Sequence, residues 1–401
     1  MGNPFASLGL ARHYARFRVA NRLLLTGHSH QAWPDVAFDA QQKAWLDAAA
    51  LVDEKWDRAA AVADEVRKGW RRLLNDPSGD IALGANTHEL VVRLLSALLP
   101  MFTSARAAAS WRTRLVTTDG EFHTIRRQVD RLAEEGILVA RVAAHPVETL
   151  SERLAASVDP TTACVMVSSV LFESAEIVPD LKAVAEACSR HGAILVVDAY
   201  HHLNVVPFDI VAMGLNEAFV LGGGYKYCQL GEGNCFLRVP AGCELRPVLT
   251  GWFSEFAELA DTKHDGEVRY GKGSARFAGA TYDPTAHYRA AAVFAFHQRM
   301  AMTPERLRAV NQHQIAMLVR QFEALDVDPA VAAIVPIKSD RRGGFIAIRS
   351  PQASALVLRL RARGLYADSR GDILRLGPAP YISDQQLLDA GGILSSIKSR
   401  A

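Results

Sequence analysis

A glycine-rich stretch from 219 to 236, FVLGGGYKYCQLGEGNCF, surrounds one amine, that of Lys226. Three glycines at 222–224 precede the lysine, and glycine lets the backbone come close to a ligand. Tyr225 and Tyr227 flank it with apolar rings and hydroxyl groups. Because burial disfavours the charged form of an amine, a partly desolvated lysine can form a Schiff base with a carbonyl compound. Taken alone, a lysine flanked by glycine and aromatic residues is usually a solvated surface lysine.

A second pair of reactive side chains follows the apolar run ILVV. Asp198 ends that run, and His201 lies three residues later. A carboxylate after a strand is often a helix cap. It can also pair with a protonated ring nitrogen, as pyridoxal phosphate enzymes require, and His201 can then meet the phenolic oxygen of the ring.

Three shorter motifs can bind other parts of such a ligand. In GANTHEL, Asn86 and Thr87 precede a helix, whose free N–H groups attract a phosphate or receive an ordinary cap. In GEFH, either Phe122 or His123 can stack on a flat ring, or the pair is a core phenylalanine beside an exposed histidine. In DILRLGPAP, Arg375 can bind a carboxylate with two hydrogen bonds, or it lies on the surface.

Other ligand classes are disfavoured by spacing. No G-x-x-x-x-G-K-[ST] loop occurs, and no G-x-G-x-x-G follows a strand. THELVV lacks the second histidine of H-E-x-x-H, and the close pairs His28 with His30 and His201 with His202 lie outside any zinc spacing. We therefore expect no catalytic metal.

These motifs follow strands that are apolar on both faces and alternate with amphipathic helices. That pattern predicts an α/β fold in which helices cover a mainly parallel sheet, with ligands beyond the carboxyl ends of the strands. We expect helices over 35–75 and from about His88 to Pro100, and a long loop over 252–285. The end of the chain reads as strand–helix–strand in a smaller α+β domain.

Composition limits the remaining possibilities. The 401 residues, 49% hydrophobic and 22% charged, predict a soluble globular protein with one large and one smaller domain. A net charge of +2 gives no general attraction to nucleic acid or membranes. Five cysteines indicate a reducing compartment, and the first residues show no secretion signal, so we expect a cytoplasmic protein.

The ordered set of motifs resembles class V of the fold type I pyridoxal-phosphate enzymes, over about residues 20–380. Within that class it is most similar to kynureninases, which share the Asp198-to-His201 spacing, a Tyr-Lys-Tyr motif before glycines, and the Gly251–Trp252 pair of TGWFSEF. Cysteine desulfurases instead favour a His-Lys pair. The resemblance implies a large, mainly parallel sheet of the seven-stranded type found in that fold. It also implies three segments: 1–50 contributing to the active site and small domain, 51–285 binding the cofactor, and 286–401 forming a linking helix and the small domain.

The resemblance also implies pyridoxal 5′-phosphate as cofactor and a role for each motif. Lys226 would bind the cofactor covalently and move the α-proton, Asp198 would pair with the ring nitrogen, and His201 would lie near the ring oxygen. Other cofactor contacts would come from Asn86, Thr87, Phe122, Tyr225, Trp252 and Thr281. Thr281 would reach the phosphate of a second subunit, which implies a homodimer with shared active sites, and Arg375 would bind the substrate carboxylate.

Two segments depart from the kynureninase pattern. TGHSHQAW replaces a GNSLG-like turn, so His28 and His30 stand where other residues are expected, and FAGATYDP lacks the expected Asn or Gly-Thr-Pro. Both segments face the substrate in the family. We expect His28 and His30 to contact the substrate, and the amino acid remains open.

The implied activity is a kynureninase-like hydrolysis at the β-carbon of an amino acid held as an external aldimine. A class V aminotransferase or a β-lyase acting on another amino acid is the alternative. A binding protein that retains the cofactor without turnover is a third hypothesis, against which the complete set of Lys226, Asp198 and His201 speaks.

Overall fold

The computed structural model describes residues 9–103, 112–258, 266 and 268–398. The helices are α1 Val36–Leu51, α2 Lys55–Leu73, α3 Thr87–Thr103, α4 His123–Glu134, α5 Leu150–Ala156, α6 Leu181–His191, α7 Thr285–Arg299, α8 Pro304–Ala324, α9 Ala353–Ala362 and α10 Asp384–Leu394. The strands are β1 Leu23–Leu24, β2 Asp80–Gly84, β3 Arg114–Thr118, β4 Leu138–Val142, β5 Thr162–Ser168, β6 Ile194–Asp198, β7 Phe219–Gly223, β8 Cys235–Val239, β9 Ala333–Ile334, β10 Ile346–Arg349, β11 Leu365–Tyr366, β12 Asp368–Arg370 and β13 Ile373–Leu376.

A seven-stranded sheet forms the centre of the molecule, in the order β2-β8-β7-β6-β5-β3-β4. The five strands β3 to β7 run parallel to their neighbours, and β8 is antiparallel to both β2 and β7. This confirms the predicted α/β fold with a mainly parallel sheet. The carboxyl ends of the five parallel strands meet at one edge, where ligands bind in such sheets.

Helices cover both faces of this sheet, which explains the continuous apolar strands. All seven residues of β5 are buried. Val165 and Val167 pack into a core with residues of α2, α5, α6 and α7, whereas Cys164 and Met166 pack with residues of α3 and α4 on the other face. A strand buried on both sides has no solvent face to show alternation.

A second core lies in the C-terminal part, around the antiparallel sheet β12-β13-β10-β9 and helices α8 to α10. Leu10, Tyr14 and Leu25 join this core, and β1 pairs with β11. The predicted strand–helix–strand corresponds to β10, α9 and β13. The boundaries 1–50, 51–285 and 286–401 stay a prediction, and their outermost parts, 1–8 and 399–401, lie outside the described residues.

Three local predictions differ from the structure. The single helix expected over 35–75 is divided at Val52, where φ is 50°, outside the helical region. Helix α3 continues past Pro100 to Thr103, because proline removes one N–H donor but keeps a helical φ. The loop at 252–285 contains two short 3-10 helices, Trp252–Glu258 and Gly273–Phe277. None of the helices in the described ranges is long and apolar enough to cross a membrane.

Candidate active site

A cavity of about 360 Å³ opens at the carboxyl edge of the seven-stranded sheet. Its walls come from the ends of β5 and β6, the loop after β7, and the starts of α3 and α4. The residues predicted from the sequence that line it are Asn86, Thr87, Phe122, Asp198, His201, Tyr225 and Lys226. The fold therefore brings together side chains from four separate stretches of the chain.

The glycines before Lys226 serve close packing within the protein. A Cβ on Gly223 would lie 2.4 Å from the hydroxyl oxygen of Tyr200, and one on Gly224 would lie 2.6 Å from Cβ of Leu230. Both distances are far below van der Waals contact. The structure thus corrects the expectation that these glycines leave space for a ligand: they let Tyr200 and Leu230 pack against the segment that carries the lysine.

The Lys226 amine is buried beside an imidazole. Its Nζ lies 2.8 Å from Nε2 of His201, and the two residues are 5% and 6% exposed. Burial lowers the pKa of Lys226 to about 7, although the Asp198 carboxylate acts in the opposite direction. Burial and the neighbouring Lys226 hold the pKa of His201 well below its usual range. The imidazole is therefore neutral, and the amine is present in both its charged and its neutral form at physiological pH.

Asp198 is held at the end of β6 with its carboxylate in the same cavity. Its Oδ1 accepts a hydrogen bond of 2.8 Å from the backbone N–H of Tyr200. Burial raises the pKa of Asp198, while this hydrogen bond and the charge of Lys226 oppose the rise. A buried carboxylate without a bonded cation is suited to binding a positively charged group that enters the cavity.

A second buried carboxyl group, Glu121, lies behind this wall and was not anticipated from the sequence. Glu121 accepts hydrogen bonds from the Thr118 hydroxyl at 2.7 Å, the Ser168 N–H at 3.1 Å and the Ser168 hydroxyl at 2.6 Å. Burial raises its pKa to about 7 against these three bonds. Ser168 lines the cavity, so Glu121 fixes part of the wall. Its position directly before Phe122 was the one feature of the sequence that could have indicated a place near the cavity.

Aromatic rings surround the amine. The centroids of Tyr200 and Phe122 lie 4.2 and 5.3 Å from Nζ of Lys226. Phe122 lines the cavity, whereas His123 is exposed and packs edge-on against Phe172. Of the two candidates in GEFH, Phe122 is therefore the one placed to contact a ring in the cavity. Tyr200 was overlooked although it stands between Asp198 and His201.

The N-terminus of α3 lies at another wall of the cavity. Oδ1 of Asn86 accepts the N–H of Glu89 at 2.9 Å, and Nδ2 of Asn86 donates to Oε1 of Glu89 at 2.9 Å. Asn86 therefore caps the helix and also lines the cavity, and its contact with a phosphate stays a prediction. Free N–H groups at such a terminus attract anions.

Arg375 and His28 lie behind the cavity rather than in its lining. Arg375, which is 2% exposed, donates to the Asp368 carboxylate through Nε at 2.9 Å and Nη2 at 2.6 Å, and through Nη1 to the Phe172 carbonyl oxygen at 2.7 Å. Nε2 of His28 lies 2.7 Å from Oδ1 of Asp368. Burial lowers the pKa of His28 to about 4, so this imidazole is neutral. Asp368 was not anticipated.

His30, Trp252 and Thr281 are exposed in the single chain and do not line the cavity. The His30 ring stacks on Tyr225 at 4.7 Å between centroids, at the cavity mouth. Trp252 is 46% exposed beside Phe253 and Phe256. Contacts of Trp252 and Thr281 with a cofactor would need a second subunit, and all three roles stay predictions. Within the described ranges, no group of three His, Cys, Asp or Glu side chains is arranged to hold a metal.

Comparison with known proteins agrees with this arrangement. The kynureninase C-terminal domain family matches residues 307–394. An uncharacterized aminotransferase, YcbU, from Bacillus subtilis is 26% identical over 215 residues, covering 53% of this chain and 54% of that protein. A kynureninase from Bacillus thuringiensis is 26% identical over 273 residues, covering 65% and 60%. The chain thus spans between half and two thirds of the length of these relatives.

Solved structures share the fold at lower identity. The apo cysteine desulfurase from Thermococcus onnurineus superimposes with a TM-score of 0.80 at 16% identity, covering 99% of this chain and 98% of that one. The cystine C-S lyase C-DES, in complex with cysteine persulfide, gives a TM-score of 0.77 at 18% identity, covering 94% and 98%. The resemblance seen in the sequence is confirmed: the chain has the fold of the fold type I pyridoxal-phosphate enzymes, and its residues 307–394 match the kynureninase C-terminal domain family.

Proposed function

We propose that this chain is a pyridoxal-phosphate-dependent enzyme that acts on an amino acid. The observation that carries the proposal is the buried amine of Lys226, 2.8 Å from His201 and in one cavity with Asp198. The site fits the cofactor in its chemistry. It combines a buried amine with a pKa of about 7, a buried carboxylate, aromatic rings and a helix N-terminus.

Each part of the cofactor has a matching group in the cavity. Lys226 would hold it covalently and Asp198 would bind its ring nitrogen. Phe122 would pack on the ring, and the phosphate would be held by Asn86, Thr87 and Tyr225. When bound, the cofactor supplies an electron sink for a carbanion next to the amino group.

The chain's own residues then move the proton and orient the substrate. Lys226, with a pKa near 7, can take up a proton at Nζ and release it again without a large free-energy change. The neutral His201 shares a hydrogen bond with Nζ and fixes its direction. Burial of both residues keeps bulk water away from that proton.

Arg375 remains able to bind a substrate carboxylate. Its bonds to Asp368 and Phe172 use three of the five N–H groups of a guanidinium, so two stay available. Asp368 holds the guanidinium in one orientation from the side, and His28 holds Asp368 in turn. Because Arg375 lies behind the cavity lining, a substrate carboxylate would have to pass that lining to reach the guanidinium.

For the reaction itself we propose kynureninase-like hydrolytic cleavage at the β-carbon. The match of residues 307–394 to the kynureninase C-terminal domain supports it. An aminotransferase or β-lyase acting on another amino acid is the second candidate, supported by the YcbU and C-DES similarities and by the altered His28 and His30 segment. Retention of Lys226, Asp198 and His201 in one cavity argues against a non-catalytic binding protein.

The reaction can be tested by incubating purified protein with kynurenine and pyridoxal phosphate while following anthranilate fluorescence. We expect fluorescence from the wild type and none from Lys226→Ala, with the exposed Lys182→Ala as matched control. Absence of signal at high enzyme concentration would exclude the hydrolase. Pyruvate release from cystine would then identify a β-lyase, and conversion of the bound aldehyde to the amine form by an amino donor would identify an aminotransferase.

We also propose that the chain works as a homodimer. Several large apolar side chains are exposed in the single chain, among them Trp45 at 78%, Leu46 at 64% and Phe256 at 59%. Trp252 and Thr281 are exposed as well, as residues that serve a partner's site must be. Light scattering coupled to gel filtration should give twice the mass of 43.7 kDa; a monomer would exclude shared sites. The cytoplasmic location remains a prediction from the cysteine content.

A further inference from the structure

Among the described residues, four buried amide side chains have hydrogen-bonded nitrogens and oxygens without a partner, and three of the four line one cavity. Asn204, Asn311 and Gln314 are 3%, 5% and 1% exposed. Each amide nitrogen donates to a backbone carbonyl: Asn204 to Tyr227 at 2.9 Å, Asn311 to Gly344 at 3.1 Å, and Gln314 to Ala379 at 2.9 Å and Ile382 at 3.0 Å. The oxygens of the three amides have no partner within the described part of the chain.

A fourth atom of this kind is the hydroxyl of Tyr227, a residue that is 3% exposed. The three amides and Tyr227 are here called the amide cluster. They line one small cavity of about 10 Å³ between α8 and residues 224–234, which carry Lys226 and are here called the lysine loop. An unsatisfied buried polar group typically costs ~1–3 kcal/mol, so four at one place are unusual in a stable fold. Their convergence indicates a common polar guest.

Rotation of the three amide groups does not give their oxygens a hydrogen-bond donor. Rotating any of them by 180° would turn its oxygen towards the carbonyl that its nitrogen now binds, and two acceptors would face each other. The oxygen orientations are therefore fixed by the backbone. The guest must donate hydrogen bonds or carry positive charge.

The surroundings favour a neutral guest. Burial raises the pKa of Tyr227; the positive charge of Arg375 lowers it, the Asp368 carboxylate raises it and Arg308 lowers it. Two positive groups against one negative group therefore act near this hydroxyl, which disfavours a cation. The cavity volume also matches the ~10–15 Å³ needed for one water molecule. Buried waters usually make about three hydrogen bonds, and the amide cluster offers four polar atoms.

We propose that the amide cluster is a binding site for a single buried water molecule that joins the lysine loop to the C-terminal core. The water donates to two of the amide oxygens and accepts from the Tyr227 hydroxyl. Asn204 and Tyr227 belong to the segments that carry His201 and Lys226, whereas Asn311 and Gln314 lie on α8. The water thereby fixes Tyr227, the residue after Lys226, to α8.

A crystal structure of the full chain at better than about 2 Å resolution tests the site directly. We expect one ordered water oxygen within ~2.6–3.2 Å of at least three of the four atoms. A dry cavity, or direct hydrogen bonds among the four side chains, would overturn the proposal. So would a rubidium anomalous peak at this position after a soak, since it would identify a cation site.

Tyr227→Phe gives an independent test because it removes only the hydroxyl. If the hydroxyl binds the water, the variant should unfold at a temperature lower by ~1–3 °C. Tyr381→Phe is the matched comparison, because the buried Tyr381 hydroxyl accepts a hydrogen bond of 2.9 Å from the Ala32 N–H. This variant should lose a similar amount of stability. Unchanged or raised stability of Tyr227→Phe beside a loss in Tyr381→Phe would contradict the hydroxyl's part in the site.

Discussion

Nζ of Lys226 and Nε2 of His201 lie 2.8 Å apart, and neither residue is more than 6% exposed. In water both groups would carry charge at mildly acidic pH. Burial lowers the pKa of both groups, and the charge of Lys226 lowers that of His201 further. The fold therefore holds a lysine amine ready to react near neutral pH, and this property has consequences that can be measured.

The first prediction concerns how fast the cofactor-free protein captures pyridoxal phosphate. Because the pKa of Lys226 is about 7, the capture rate should rise with pH up to about 7 and then level off. With an ordinary lysine, whose pKa is ~10.4, the rate of cofactor capture would keep rising beyond pH 9. Stopped-flow absorbance measures this profile. Asp198→Asn should move the plateau to lower pH, because the Asp198 carboxylate raises the pKa of Lys226; an upward shift would contradict the assignment.

The second prediction separates catalysis from cofactor retention at Asp198. Asp198→Asn keeps the shape of the side chain but removes the negative charge beside the ring nitrogen. We expect kcat to fall by roughly 10²-fold or more, as for the loss of other preorganised electrostatic contacts. Cofactor retention after dialysis should change little, since the lysine and phosphate contacts remain. Loss of the cofactor with unchanged kcat in its excess would contradict the role of Asp198.

Asp368 gives the third prediction, as the residue that orients Arg375. Asp368→Asn removes the charge from the bidentate pair. We expect KM to rise by roughly tenfold or more with a smaller effect on kcat, since a hydrogen bond to a charged group is worth ~1.5–3 kcal/mol. Steady-state kinetics measure both constants. The matched control is Asp372→Asn, which alters an exposed ion pair with Arg349 and should leave KM unchanged. An unaltered KM in Asp368→Asn would refute the positioning role.

Most of the strands and helices could be predicted from the sequence, because each follows from a local pattern of apolar residues. The apolar runs before Asp198 and Lys226 predict two neighbouring strands, and both residues end at the same sheet edge. The break at Val52 was missed because alanine-rich helices continue on either side and carry the same periodicity. A single residue with positive φ leaves little trace in such a pattern.

The candidate site was predictable where one motif supplies one contact, and not where distant segments meet. Asp368 reaches both His28 and Arg375 across 340 and 7 residues, so its role depends on the register of β12 and β13. Glu121 gains its raised pKa from burial, which the polar sequence around it does not indicate. The amide cluster likewise combines distant segments, because two of its residues follow β6 and β7 and two lie on α8.

The fourth prediction concerns stability at low pH. Burial lowers the pKa values of four histidines, His28, His202, His287 and His297, to about 4. These side chains are neutral in the folded state. In the unfolded chain each imidazole takes up a proton near its ordinary pKa of ~6.5. Their contribution to stability is therefore complete above pH 6.5 and is lost as pH falls towards 4.

Thermal unfolding at pH 7.0 and 5.5 tests this sign. The wild type should unfold at a lower temperature at pH 5.5, with roughly 1 kcal/mol lost per buried histidine. His297→Gln should lose less between the two pH values, whereas the exposed His88→Gln should behave as the wild type. Greater stability at pH 5.5 would show that these histidines bind protons in the folded state.

The central claim is that Lys226 binds pyridoxal phosphate covalently, and one absorbance measurement tests it most directly. Purified protein supplied with the cofactor should show the visible band of a lysine-bound cofactor. Borohydride should bleach the band and leave the cofactor attached to the peptide that contains Lys226. The band should be absent from Lys226→Ala and present in Lys182→Ala. A wild-type protein that gains no band at saturating cofactor, or an equal band in Lys226→Ala, would contradict the account.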